Sequence, residues 1–268
     1  MSVRCSVFEV RCSMFPVRSF KFHVSSFKSR VSLLAICLVA TQCLASAPDA
    51  LFRAGADAYH AADYTHSAVA FRQSASLRPS SGTLQNLGLA EWQRSRTGDA
   101  ILAWEQSLWL DPFNSSARAN LRFARKAAQI EAPELAWHEV ISTWLPVNWW
   151  AWIAGISFWV AVAATLLPSI FRRPKAAWHQ AVAALAFTVF LLSVPAQAGA
   201  YTRSHIGFVL LKDTPLRLTP TQEAQAITRL ASGEPVRLQR ARGNYILIRT
   251  SRATGWVARD QFGAICPL

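Results

Sequence analysis

Charge is scarce in this chain, and acid is scarcest. Asp and Glu number 15 against 28 Lys and Arg. Charged residues are 16% of the 268, where about 25% is usual in a soluble chain. Sulfur is thin too, with 2 Met and 5 Cys. Cys5, Cys12, Cys37 and Cys43 all precede Ala47. If that leader is removed, Cys266 is the sole cysteine left, and no intramolecular disulfide or Cys-rich zinc site could then form. The chain also lacks a His-Glu-x-x-His run, a Cys/His cluster at ligand spacing and a glycine loop to cradle phosphate. Cys266 has no catalytic domain beside it, so it does not read as a nucleophile. These absences point away from an enzyme, and no cofactor or metal is expected.

The formal charge of +13 would suit a nucleic-acid binder, but its distribution does not. Residues 1–47 carry net +5, 48–136 are neutral, 137–200 carry +2 and 201–268 carry +6. Much of the excess therefore lies at targeting and membrane-flanking positions, where it sets topology. No nucleic-acid partner is expected. The C-terminal excess is either a solvated basic face or a contact for an anionic partner.

What the chain has in quantity is apolar sequence, 52% of its residues. From Val31 it reads "VSLLAICLVATQCLASAPDA". A basic lead-in (Lys21, Lys28, Arg30), an apolar core and Ala45-x-Ala47 are laid out like a secretory signal peptide within 1–47. The alternative is an uncleaved anchor helix from Val31 to Ala47. Residues 1–30 are assigned no fold.

Between Pro48 and Ala132 the chain matches itself at a spacing of 33 residues. Gly55 aligns with Gly88, Tyr59 with Trp92, Phe71 with Trp104, Leu77 with Leu110 and Pro79 with Pro112. A small residue at Gly88 lets one helix approach the next, Ala100 suits the tightest point of their crossing, and Pro112 ends the second helix. The second copy, with Asn86-Leu87-Gly88, Ala100-Ile101, Trp104, Leu108 and Asp111-Pro112, resembles a tetratricopeptide repeat. The resemblance implies an all-α domain over 48–136, with repeats at about 48–80 and 81–113 and a capping helix at about 114–131. It also implies a partner-binding groove lined by Phe52, Ala56, Tyr59, His60, Gln85, Leu89, Trp92 and Gln93. The competing reading of Tyr59 and Trp92 is that they pack between repeats.

Trp149 to Ile170 runs 22 residues without a charge, about 33 Å as a helix and enough for a bilayer core. A second uncharged stretch covers 178–198. Arg172, Arg173 and Lys175 fall in the short turn 171–177 between them, where the positive-inside rule places the hairpin tip in the cytoplasm. The repeats and the C-terminal segment then share the outer compartment, the side to which a signal peptide would export them.

Residues 203–268 change to short alternating runs broken by turn residues. Gly243-Asn244 is expected to turn a hairpin between strands around Val236–Leu238 and Tyr245–Leu247. "PLRLTP", "LASGEPV" and Gly255-Trp256-Val257 resemble a bacterial SH3 domain, which implies a small all-β barrel. Trp256 either closes that barrel or meets a ligand.

The whole order, a leader followed by tetratricopeptide repeats, a two-helix transmembrane hairpin and an SH3-like barrel, resembles the BatE-type proteins of the Bacteroides aerotolerance group. That implies a multi-domain protein of the bacterial inner membrane, facing the periplasm. The implied partners are von Willebrand factor A-type proteins and a MoxR-type ATPase. Two functions fit: an anchored protein-interaction scaffold, or a cell-wall-associated module whose SH3-like domain binds peptidoglycan while the repeats recruit an enzyme.

Overall fold

The computed structural model describes residues 47–170 and 177–266. The expected signal peptide and the charged turn with Arg172, Arg173 and Lys175 lie outside these residues. The first part is a run of antiparallel helices: α1 (47–60), α2 (Tyr64–Leu77), α3 (Ser81–Gln93), α4 (Thr97–Leu110) and α5 (Ser115–Ala128). Short polar side chains start three of them. Asp63, Ser80 and Asn114 accept from the backbone N–H of His66, Thr83 and Ala117, satisfying donors that the first turn leaves open.

The 33-residue spacing has a direct counterpart in packing. A Cβ on Gly88 would stand 2.4 Å from the Trp104 indole nitrogen, and one on Gly55 would stand 2.9 Å from the Phe71 ring. Each glycine thus lets the large ring of the next helix lie on the backbone. Ala100 is fully buried at the second crossing. Ser67, its counterpart in the first, is buried and donates to the Gly55 carbonyl at 2.8 Å.

Two long apolar helices follow the short α6 (Trp137–Ser142): α7 (Val147–Ile170) and α8 (Ala177–Arg203), packed on one another. Val147–Pro168 and Ala177–Arg203 are long and apolar enough to cross a membrane. α8 does not stop at Ala198 but runs on to Arg203. The reason is in its small residues. Ala196, Gly199 and Ala200 are buried, and a Cβ on Gly199 would stand 2.0 Å from the His138 carbonyl oxygen. The "PAQAGA" stretch is the seat on which α6 crosses α8.

The last part is a seven-stranded antiparallel sheet in the order β3-β2-β6-β5-β4-β1-β7. The strands are β1 (Ile206–Val209), β2 (Thr214–Arg217), β3 (Ala226–Leu230), β4 (Pro235–Arg242), β5 (Tyr245–Arg249), β6 (Thr254–Ala258) and β7 (Phe262–Ala264). Arg242 pairs with Tyr245 across a turn in which Gly243 has φ +57°. Val209, Leu216, Leu230, Val236, Ile246, Ile248 and Val257 fill the interior of the sheet.

The helices and the sheet share a core. Ile206, Phe208 and Ile265 are buried in one cluster with Ile101, Trp104, Trp109 and Leu121 of α4 and α5. Gln106 of α4 donates to the Ala264 carbonyl at 2.9 Å. Gly98 at the start of α4 leaves room for the Leu210 carbonyl, which a Cβ would meet at 2.4 Å. The sheet thus covers apolar surface that the helices alone would expose.

A buried ion pair fastens the junction. Both oxygens of Glu139 on α6 accept from Arg237 on β4, at 2.8 and 2.7 Å, and Arg237 also donates to the Glu134 carbonyl at 2.8 Å. Burial pushes the Glu139 carboxyl up, but the Arg237 fork, the Ala136 N–H and the Thr202 hydroxyl outweigh it and hold the group at about 2. Arg203, at the end of α8, donates to Ser142 at 3.0 Å and lies 4.9 Å over the Trp109 ring. Glu105 of α4 pairs with Arg125 of α5. Its burial dominates, so its pKa is raised even though Arg125 and Arg203 favour the charge.

Candidate functional site

The expected groove residues divide into those that build the helical stack and those that face solvent. Phe52 packs 5.4 Å from the Phe71 ring and Tyr59 lies edge-on to Tyr64 at 5.3 Å, both against the core of the first repeat. Ala56 joins them there. Gln85 is half-buried, and its side chain accepts from Asn114, which also donates to Ser81 and Ser107. That network ties the start of α5 to α3 and α4. Leu89 and Trp92 are half-buried against the second cluster. His60 and Gln93 are exposed at the ends of α1 and α3.

One residue absent from the expected groove belongs beside it. Phe123 on α5 is 62% exposed and meets Trp92 edge-on at 5.7 Å, while the other side of Trp92 lies 6.1 Å from Trp104. The three rings step outward from the core, and Phe123 forms the exposed end. The helical pattern of α5 carried a signal for it: Ala117, Leu121 and Ala124 are its buried face, so an aromatic at 123 falls outside that face. Arg122 and Lys126, also exposed, stand near it in sequence.

A second feature has no counterpart among the expected residues. Glu91 is completely buried on α3 and paired with Arg72 of α2 and with Arg94 at 2.8 Å. It joins α2 of the first repeat to α3 of the second. This is structural chemistry: among the described residues no group of three His, Cys, Asp or Glu side chains converges as metal ligands would.

The sheet shows which way Trp256 faces. Ile246, Ile248 and Val257 point into the sheet core, so Leu247 and Trp256, which alternate with them, are on the other face. Register places Arg240 opposite Leu247, Leu247 opposite Trp256, and Trp256 opposite Arg217. The outer face thus carries a cross-strand row of arginine, leucine, tryptophan and arginine, with the ring half-buried. Arg217 donates to the carbonyls of Gln222 and Ala224. Among the described residues neither it nor Arg240 is in an ion pair.

No family model matches the chain, and no curated protein or solved structure matches it.

Proposed function

We propose that this protein is a membrane-anchored, non-enzymatic scaffold that binds a protein or peptide across the open side of its helical repeats. The successive helix pairs are read as tetratricopeptide repeats, and the sheet as a bacterial SH3-like barrel. α7 and α8 serve as the anchor, with Arg172, Arg173 and Lys175 at a cytoplasmic tip and both modules in the periplasm. The observation that carries the reading is where the sheet docks. It covers α4 and the adjoining core, while His60, Gln93 and the exposed Phe123 beside Trp92 remain open to solvent. An aromatic ring with a half-buried aromatic base is the kind of anchor on which binding energy concentrates. The resemblance to BatE-type proteins names the partners to test: von Willebrand factor A-type proteins and a MoxR-type ATPase.

The test is photo-crosslinking in the intact membrane. A photoreactive residue at His60 and, separately, at Gln93 of the full chain is expected to capture one common protein of those classes. Phe123→Ser should abolish both adducts. Capture that is indifferent to Phe123, or no adduct at either position, overturns the reading.

A second reading rests on the Arg240, Leu247, Trp256 and Arg217 row. A leucine and a flat ring flanked by two cations that, among the described residues, are in no ion pair suit a polyanionic glycan such as peptidoglycan. It predicts that the detergent-solubilised full chain sediments with isolated cell wall, and that Trp256→Ala with Arg240→Ser releases it.

A further inference from the structure

α6 is too short to matter as a span, yet its two faces differ completely. Glu139 and Ser142 are buried against α8 and the sheet. Trp137 and Val140, at helical spacing on the other side, are 67% and 42% exposed, and Trp144, two residues past the end of the helix, is 62% exposed. Two large tryptophans and a valine facing water together would be a costly arrangement in a soluble protein. The surface continues directly into α7, where Trp149 and Trp152 are also exposed.

The position of α6 is fixed from three sides. The His138 backbone sits on Gly199, Ser142 accepts from Arg203, and Glu139 is gripped by Arg237. The helix therefore lies across the last turns of α8, the end of a candidate span. The face it turns away from the protein bears no charge, because its carboxylate is the buried Glu139.

We propose that α6 is an interfacial collar, with Trp137, Val140 and Trp144 inserted in the headgroup boundary of the bilayer. The proposal rests on the reading of α7 and α8 as spans. Tryptophan favours that boundary because its ring is apolar and its N–H is polar, and an amphipathic helix lies there with its apolar face inward. The collar would hold Glu139, and through Arg237 the sheet, at a set height above the lipid. The occupant is argued from continuity: the same exposed apolar surface passes without a charged break from Trp144 to Trp149 and on to the body of α7.

Spin labels on the full chain in vesicles of phosphatidylethanolamine and phosphatidylglycerol test this. Labels are placed by Val140→Cys, by Glu131→Cys in the exposed stretch before α6, and by Ile156→Cys within α7. The unsubstituted chain, taken through the same labelling, serves as the background. The collar predicts that relaxation at 140 responds more to oxygen than to a water-soluble nickel chelate, with 131 showing the reverse. If 140 matches 131 while 156 is oxygen-dominated, the collar is wrong and the spans stand. If 156 itself matches 131, the membrane reading falls and the collar with it. Trp144→Ser offers a check that does not need labelling: it should weaken nickel exclusion at 140 without changing the circular dichroism of the solubilised protein.

Discussion

Arg237, on a strand of the C-terminal sheet, holds both carboxylate oxygens of Glu139, which lies 98 residues earlier on the collar helix. The pair spans the junction of sheet, collar and α8, so its loss should be felt as separation of modules. Leaving a buried charge without its partner typically costs about 3 kcal/mol or more. Arg237→Ala is therefore expected to lower the unfolding midpoint of the detergent-solubilised chain, and to expose the collar linker to limited proteolysis. An unchanged midpoint and cleavage pattern would remove the pair from any account of stability.

The buried Glu139 and Glu105 should respond to pH in opposite senses. The Glu139 carboxyl is depressed in the folded protein from an ordinary 4.5 to about 2. Its contribution is complete above about 4.5 and is lost as pH falls toward 2. Glu139→Gln should flatten that acid limb. Glu105 is raised by burial, so its ionisation opposes folding as pH climbs above its ordinary value. The stability of parent relative to Glu105→Gln should then fall with rising pH, whatever its starting offset. Melting curves across an acid series check both slopes.

Gly88 and Gly199 are two of the tightest approaches in the helical parts. Adding a methyl to a filled contact costs roughly 1–3 kcal/mol. Gly88→Ala forces the Trp104 ring away and should destabilise the repeats. Gly199→Ala meets backbone instead of a movable ring, so it should instead free α6, seen as faster hydrogen exchange across Trp137–Ser142. If exchange there is unaltered, the crossing is not what holds the collar.

The rings of the candidate groove separate stability from binding. Phe123→Ala should leave the melting midpoint nearly unchanged because the ring is largely exposed, while removing captured partner. Trp92→Ala, which opens a gap beside Trp104, should cost about 2 kcal/mol, and its effect on capture cannot be read without that loss.

Topology is checked by thiol labelling of intact cells. Cysteines at Ala176 and Lys212 should react from opposite sides of the membrane. Ser204 is a poor probe because the structure buries it. Labelling of both positions by an impermeant reagent added outside sinks the hairpin.

The helical repeat was legible because its signals are local and recur: a glycine, a small residue, a ring and a proline at fixed spacing each describe one contact between sequence neighbours. The apolar stretches of α7 and α8 were legible for a similar reason, since length and absence of charge are properties of the stretch itself. The Gly243 hairpin belongs to the same class. Phe123 and the collar were harder. Each is defined by which face of a helix stays uncovered, and that depends on elements distant in the chain.

The sequence by itself thus determined the successive helices, the two apolar helices and the change to strands, in that order, because backbone preference and hydrophobic period act within a few residues. Only the tertiary structure decided that Ile206, Phe208 and Ile265 complete the core of α4 and α5, and that "PAQAGA" is a helix seat. It also decided that Trp256 turns outward and that Glu139 answers to Arg237. Each of these is a contact between residues far apart in the chain, fixed by shape and desolvation when the surfaces meet.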